Sequence, residues 1–237
     1  MASKTNQQVV SNRMKQLQKL HDRMDRTREL AYMEDFHLTT FNGKDYLDNV
    51  INVTGNNPAT FANAIIADLM SATWQTVVEG DISSKQARDI EQFIDDNFEQ
   101  ADEGLLNKFG LSSLYAWLCN HVCIRSFIGV KWLGQVDKKG NYLLDVLPCD
   151  MRWFAWQHGQ NGLSYAAPIF FRNSDDIMME FPDAKLSENT ELILVDFWDS
   201  TTNEVWVAKD GTDAAIAAGT PIFQQKNRLG YPPFVIV

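Results

Sequence analysis

The spacing of apolar residues changes about halfway along the chain, and this change limits the fold more than any other feature of the sequence. Up to about residue 121, apolar side chains recur every three or four positions, which is typical of amphipathic helices. From residue 122 onward, short apolar runs alternate with turn clusters, which is typical of strands and hairpins. Helices followed by strands favour an α+β fold of N-terminal helices and antiparallel hairpins over a doubly wound parallel sheet.

The first half of the chain contains four predicted helices. The spacing places the first over residues 11–35 and the second over Ala59–Trp74. The third begins after Ser83 or Ser84, and the fourth runs from about Leu105 to His121, with Gly110 as a weak point in its first half. The side chains that we expect to face a core in the second and third helices are Phe61, Ile65, Leu69, Ile90, Phe93, Ile94 and Phe98.

The second half of the chain contains two predicted hairpins with further strands between them. In the first hairpin, Gly140 supplies the positive φ of the turn. A short helix is predicted over Asp175–Phe181, where Pro182 stops it. The predicted strands are Val122–Val136, Tyr142–Leu147, Met151–Trp156, Leu163–Phe171, Glu191–Trp198 and Glu204–Lys209.

These patterns divide the chain into three parts. Residues 1–35 form a basic amphipathic helix, residues 36–121 form a helical part, and residues 122–237 form an antiparallel β-rich part. The last residues, Pro232–Val237, are almost wholly apolar, whereas chain termini are usually polar and frayed. We therefore expect the biological protein to continue beyond this sequence.

Positive charge is concentrated at the start of an otherwise acidic chain. Residues 1–30 hold seven cations and three anions, while the other 207 residues hold 14 cations and 28 anions. Such a helix face is either simply solvated or binds phosphates, an acidic protein or an acidic neighbouring subunit. Because the rest of the chain is so acidic, we favour docking within an oligomer over binding to DNA. The candidate residues on this helix are Arg13, Lys15, Lys19 and Arg23.

An aromatic segment, 151–156, supplies three more candidates for a contact with a subunit or capsid: Arg152, Trp153 and Trp156. Aromatic platforms can also stack nucleic-acid bases, but these normally have several cations nearby, and Arg152 is the only cation in the segment. Core packing or a subunit contact is the preferred interpretation.

The sequence predicts no catalytic residue, cofactor or metal. It lacks phosphate-binding glycine loops and nucleophile elbows, and its odd count of three cysteines fits a reducing compartment rather than a disulfide framework. Cys119, His121 and Cys123 are either a soft-metal site or small buried side chains, and the second interpretation is preferred. An enzyme would have to use one of the carboxylate pairs, which are Asp95-Asp96, Asp102-Glu103, Asp175-Asp176 and Asp196/Asp199. We find neither a signal peptide nor a membrane-spanning segment, which favours an intracellular protein.

From about residue 116 onward, six segments follow one another in a definite order: Ala116–Leu133, Gln135–Asn141, Val146–Trp156, Val195–Trp198, Glu204–Trp206 and Leu229–Val235. This order resembles the portal, or head–tail connector, proteins of tailed bacteriophages. The basic N-terminal helix and the Ala59–Trp74 helix also fit the family order, so the resemblance covers about two thirds of the chain and matches the N-terminal wing region of those proteins. Their stem helices and clip are missing from this sequence, which agrees with a chain truncated before the stem.

The resemblance implies a mechanical role without catalysis. Portals form rings, typically dodecamers, at one vertex of the virion capsid, and they are made in the host cytoplasm. Their partners would be other copies of the chain, the major capsid protein or scaffold, the terminase large subunit and the head–tail adaptor. Double-stranded DNA would pass through the ring without sequence-specific binding, during both packaging and ejection, and no membrane would be involved. The alternatives are another virion or head–tail adaptor protein, and an enzyme domain that uses a carboxylate pair.

Overall fold

The computed structural model describes residues 5–32, 55, 57–72, 75–111, 113–136, 140 and 142–237. The chain forms two compact units. One combines Met1–His21 with Ile128–Val237, and the other is Asp22–Phe127. The ends of the predicted helices 11–35 and Ala59–Trp74 and part of the predicted segment 36–121 lie outside the described residues.

The first helix, α1, covers Asn6–Ala31 and begins five residues earlier than predicted. The hydroxyl of Thr5 accepts a hydrogen bond from the Gln8 backbone N–H, as the side chain at a helix start commonly does. Apart from Ser11, the buried side chains recur at alternating steps of four and three residues, which is the period of one helix face. They are Val10, Met14, Leu17, His21 and Met24.

The second unit also contains three helices that lie wholly within it: α2 (Asn57–Ser71), α3 (Ser84–Phe109) and α4 (Leu114–Arg125). The predicted helix from Leu105 to His121 is wrong, because Gly110 takes a left-handed conformation with φ of 66° and ends α3. Ser113 then caps α4 by accepting from the Ala116 backbone N–H. Because α4 continues to Arg125, the strand predicted from Val122 begins only at Gly129.

The apolar faces of α2 and α3 are more exposed than predicted. Phe61 is 69% exposed, and Ile90 and Phe93 are exposed as well, although all three were expected to face a core. The buried side chains of these helices lie off the expected faces, although the sequence had placed Ile66 beside the face of the second helix. They are Ala59 and Ile66 in α2, and Ala101 and Leu105 in α3.

The β-rich part of the first unit contains two antiparallel sheets. The strands are β1 (Gly129–Val136), β2 (Tyr142–Cys149), β3 (Phe154–Gly159), β4 (Gly162–Asn173), β5 (Glu191–Asp199), β6 (Thr202–Ala208), β7 (Thr220–Lys226) and β8 (Phe234–Ile236). The smaller sheet has the order β2-β1-β8, and the larger has the order β3-β4-β5-β6-β7. Helices followed by antiparallel strands confirm the predicted α+β fold.

Both predicted strand pairs are present. In the first, β1 pairs with β2, and Gly140 has a φ of 86° as predicted, while residues 137–139 and 141 of the turn lie outside the described residues. In the second, β5 pairs with β6. A short helix, α5 (Ser174–Glu180), lies where one was predicted, and another, α6 (Asp213–Ala217), precedes β7. The strand predicted from Met151 begins only at Phe154, because Met151–Trp153 forms a 3₁₀ turn.

The five-stranded sheet buries apolar side chains on both of its faces. On one face, Val10 and Met14 of α1 belong to the same cluster as Phe197 and Trp206. On the other, Ile177 of α5 packs with a cluster that contains Leu194, Val205 and Val207. Alternate residues of a strand point to opposite faces, so covering both faces explains why β5 and β6 are nearly continuous apolar runs.

Candidate interaction surface

One side of α1 carries a row of exposed cations. Lys15, Lys19, Arg23 and Arg26 follow one another at steps of four, four and three residues, and all four are exposed. At 3.6 residues per turn they occupy an arc of about 80° on the helix, opposite the buried stripe. None forms an ion pair with another residue of the described chain. We call these four residues the cationic stripe.

Arg13, which the sequence grouped with these cations, has a different role. Its Nε donates to the Trp156 backbone carbonyl at 2.7 Å, and its Nη1 donates to Gln16 Oε1 at 3.0 Å. The side chain is half-buried and helps to hold α1 against β3. Arg13 lies two positions before Lys15 and therefore on a different side of the helix. The same spacing argument would have selected Arg26, which the sequence-based candidates omitted.

Polar contacts anchor the start of α1 to the β-rich part of the first unit. Asn6 Nδ2 and Gln7 Nε2 donate to the two carboxylate oxygens of Glu204 at 2.7 and 3.1 Å. Ser11 Oγ donates to the Asp213 carbonyl at 2.8 Å. With Val10 and Met14 buried on the sheet, these bonds fix the orientation of the helix and direct Lys15 and Lys19 outward.

The aromatic candidates separate into a half-buried pair and a core residue. The Arg152 guanidinium lies 4.5 Å from the centroid of the Trp153 ring, which also meets Phe171 edge-on at 4.7 Å. Asp150 accepts from the Arg152 backbone N–H and so begins the 3₁₀ turn. Trp156 is buried, with its ring 6.0 Å from that of Phe154. The sequence left core packing and a subunit contact open for this segment, and Trp156 packs in the core.

The carboxylate pairs contain residues that stabilise local structure. Asp102 Oδ1 accepts from the Leu114 backbone N–H at 2.7 Å, at the start of α4. Asp199 Oδ1 accepts from the backbone N–H groups of Thr201 and Thr202 in the turn between β5 and β6. Three more of these carboxylates accept hydrogen bonds within the chain. Asp95 accepts from Thr76 Oγ1, Asp175 accepts from the Asn189 backbone N–H, and Asp196 accepts from Lys131 Nζ and Asn203 Nδ2.

The structure also brings four acidic residues together along α3. Glu91, Asp95, Glu99 and Asp102 follow one another at steps of four, four and three residues. Asp95 and Glu99 are exposed, and Glu91 and Asp102 are half-buried. We call these four residues the acidic stripe. Asp95, Glu99 and Asp102 themselves line a cavity of about 210 Å³, whose apolar walls are formed by Phe98, Leu114, Tyr115 and Leu118.

In the cysteine and histidine cluster of α4, Cys119 and Cys123 lie one turn apart on one side of the helix, and His121 lies on another side. Cys119 is buried, and burial raises the pKa of the half-buried Cys123 thiol. The His121 ring stacks on Trp117 with 3.6 Å between ring centroids. Among the described residues, no three His, Cys, Asp or Glu side chains are grouped closely enough to hold a metal ion.

No protein-family model matches this sequence, and a search of curated proteins also finds no match. Within the described part of the chain, no helix is both long enough and apolar enough to cross a membrane.

Proposed function

We propose that this chain is a structural subunit that associates head-to-tail with copies of itself, as portal subunits of tailed bacteriophages do. One observation carries the proposal: the same chain has an exposed cationic stripe on α1 and, on α3, an acidic stripe in which Asp95 and Glu99 are exposed and Glu91 and Asp102 are half-buried. Two different, complementary surfaces on one subunit are what a heterologous interface requires, and such an interface generates a ring when its rotation closes.

The resemblance of the sequence to the portal wing region supports the choice of a ring over an open filament. The fold class agrees with this choice, because helices come first in the chain and antiparallel strands follow. The overall acidity of the chain is compatible with a passage for DNA, since a duplex must slide along the wall without strong phosphate binding.

On this proposal the protein occupies the portal vertex of a virion and acts without a reacting group of its own. The major capsid protein or scaffold, the terminase large subunit and the head–tail adaptor are its proposed partners. The genome would pass through the ring during packaging and again during ejection.

The test is the assembly state of the complete gene product. Light scattering after size exclusion, at low and high salt, should show a large oligomer that dissociates as salt screens the charges. Negative-stain microscopy should show rings with a central hole. A monomer or closed dimer at every protein and salt concentration would overturn the proposal, and so would purified protein that turns over a substrate.

A further inference from the structure

Two helices of this chain carry the same residue spacing with opposite charge. In α1 the cations Lys15, Lys19, Arg23 and Arg26 are followed four residues later by Leu30. In α3 the acids Glu91, Asp95, Glu99 and Asp102 are followed four residues later by Leu106. Each series therefore advances by four, four, three and four residues, and each helix is 26 residues long.

We propose that α1 of one copy packs parallel to α3 of a neighbouring copy, with the cationic stripe along the acidic stripe. This inference rests on the self-association proposed above and names the surfaces that would meet. At a rise of 1.5 Å per residue, each row of charges is about 17 Å long, and each occupies the same arc of about 80°. The pairing is Lys15 with Glu91, Lys19 with Asp95, Arg23 with Glu99, and Arg26 with Asp102.

The parallel direction follows from the apolar residue at the end of each series. In the parallel arrangement Leu30 meets Leu106, whereas in the antiparallel arrangement Leu30 would face Glu91. Leu30 is 48% exposed and Leu106 is 55% exposed, so each has apolar surface to bury against the other. Helices that pack with rows at spacings of three and four cross at a shallow angle, and this keeps the rows in contact over several turns.

Two carboxylates of the acidic stripe, those of Glu91 and Asp95, are already oriented by hydrogen bonds within the chain. Glu91 Oε1 accepts from the Val78 backbone N–H at 3.0 Å, and Asp95 Oδ1 accepts from Thr76 Oγ1 at 2.8 Å. One oxygen of the Glu91 carboxylate and one of the Asp95 carboxylate are thus engaged, and a carboxylate can accept further hydrogen bonds at its second oxygen. None of the four acids pairs with a cation of the described chain.

The neighbouring cavity favours cations that have long aliphatic stems. Its apolar walls, including Phe98 and Tyr115, lie beside Asp95 and Glu99. Lysine and arginine side chains bury their methylene groups against such surfaces while the charged group reaches the carboxylates.

Duplex DNA would match the cationic stripe alone and would leave Leu30 and the acidic stripe without a partner. A second copy of the chain provides partners for all three.

The test exchanges the charges between the two surfaces. One variant carries Lys19→Glu and Arg23→Glu, and the other carries Asp95→Lys and Glu99→Arg. We expect each variant alone to associate at least about tenfold more weakly than the wild type, because like charges then face each other. An equimolar mixture should assemble again, since each reversed surface meets its complement on the other variant. A chain that carries all four changes should also assemble.

Matched controls reverse exposed charges elsewhere. Lys209→Glu with Lys226→Glu, and Asp183→Lys with Glu188→Lys, should leave assembly unchanged. Circular dichroism establishes that each variant is folded.

If the wild type assembles and neither charge-reversed variant is weakened, or if the mixture fails to recover, this inference is overturned while the proposed function stands. The inference is likewise overturned, with the proposed function intact, if the variant with Lys19→Glu and Arg23→Glu assembles like the wild type and loses only the ability to bind duplex DNA. If the wild type never assembles, the proposed function itself fails.

Discussion

The ammonium group of Lys131 lies 2.9 Å from a carboxylate oxygen of Asp196, and the two side chains are only 11% and 13% exposed. Lys131 belongs to β1 and Asp196 to β5, so this ion pair joins the small sheet to the large one. The other carboxylate oxygen accepts from Asn203 Nδ2 at 2.7 Å, and the ammonium lies 4.9 Å from the centroid of the Trp198 ring. Because little water reaches this buried pair, each charge depends on the other as its counter-ion.

Replacing Lys131 by methionine should destabilise the protein by about 3–5 kcal/mol, because the Asp196 carboxylate would remain buried without its counter-ion. Urea unfolding followed by tryptophan fluorescence measures the loss. Replacing both partners, with Lys131→Met and Asp196→Leu, should recover much of the stability, since no buried charge is left. A single variant as stable as the wild type would contradict this account of the pair.

Gly219 is a position where even one methyl group should not fit. A Cβ there would lie 2.2 Å from Cδ1 of Trp206, whose side chain is completely buried. We expect Gly219→Ala to cost about 1–3 kcal/mol in unfolding free energy through overpacking. Gly104→Ala is the matched control, because nothing lies within 4 Å of its Cβ position in α3, and it should stabilise the protein by about 0.5–1 kcal/mol. Equal effects of the two substitutions would argue against the predicted clash.

The beginning of α3 depends on a reciprocal cap. The Ser83 hydroxyl accepts from the Gln86 backbone N–H, and Gln86 Oε1 accepts from the Ser83 backbone N–H. Ser83→Ala should therefore cost about 1 kcal/mol, measured by urea unfolding monitored with far-ultraviolet circular dichroism. Ser84→Ala lies one residue further, inside the helix, and should have little effect. Losses of similar size from the two substitutions would indicate that the cap contributes nothing specific.

The buried Cys149 thiol should make stability depend on alkaline pH. Burial raises the pKa of Cys149 far above its ordinary value of 9.0, and the nearby Lys131 ammonium offsets only part of this effect. Above pH 9 the unfolded chain loses this proton and the folded chain keeps it. The stabilisation is therefore complete below pH 9 and falls by about 1.4 kcal/mol for each further pH unit.

The Cys149→Ala variant isolates this contribution, because it removes the titrating group and leaves the other alkaline groups in place. Its unfolding free energy should decline less steeply above pH 9 than that of the wild type, even though the smaller side chain lowers stability at every pH. Urea unfolding at a series of pH values gives both slopes. Parallel curves would show that the pKa of Cys149 does not differ between the folded and the unfolded chain.

The local order of the elements could be predicted because it depends on signals between neighbouring residues. The period of three and four residues in α1, and the turns that separate β1 from β2 and β5 from β6, predicted elements that the structure contains. The break at Gly110 was harder to predict, since a glycine can either weaken a helix or end it. Here its left-handed conformation, together with the Ser113 cap, ends one helix and begins another.

The candidate surface was predicted only in part. Lys15, Lys19 and Arg23 are exposed on α1 as expected, whereas Arg13 bonds to the Trp156 carbonyl, which is 143 residues away in sequence. Spacing along α1 could have identified Arg26. The placement of Trp156 in the core depends on which strands pair beside it.

The sequence by itself determined the order of most helices and strands in the described part of the chain, and it concentrated the positive charge at one end, because these properties follow from residues close together in the polypeptide. Only the tertiary structure decided which apolar faces are covered. It left Phe61 and Phe93 exposed while burying Ala59 and Leu105, and it brought Lys131 to Asp196 across 65 positions of sequence. Burial and buried ion pairs depend on contacts between distant segments, and a periodic pattern shows that a helix face is apolar without showing what packs against it.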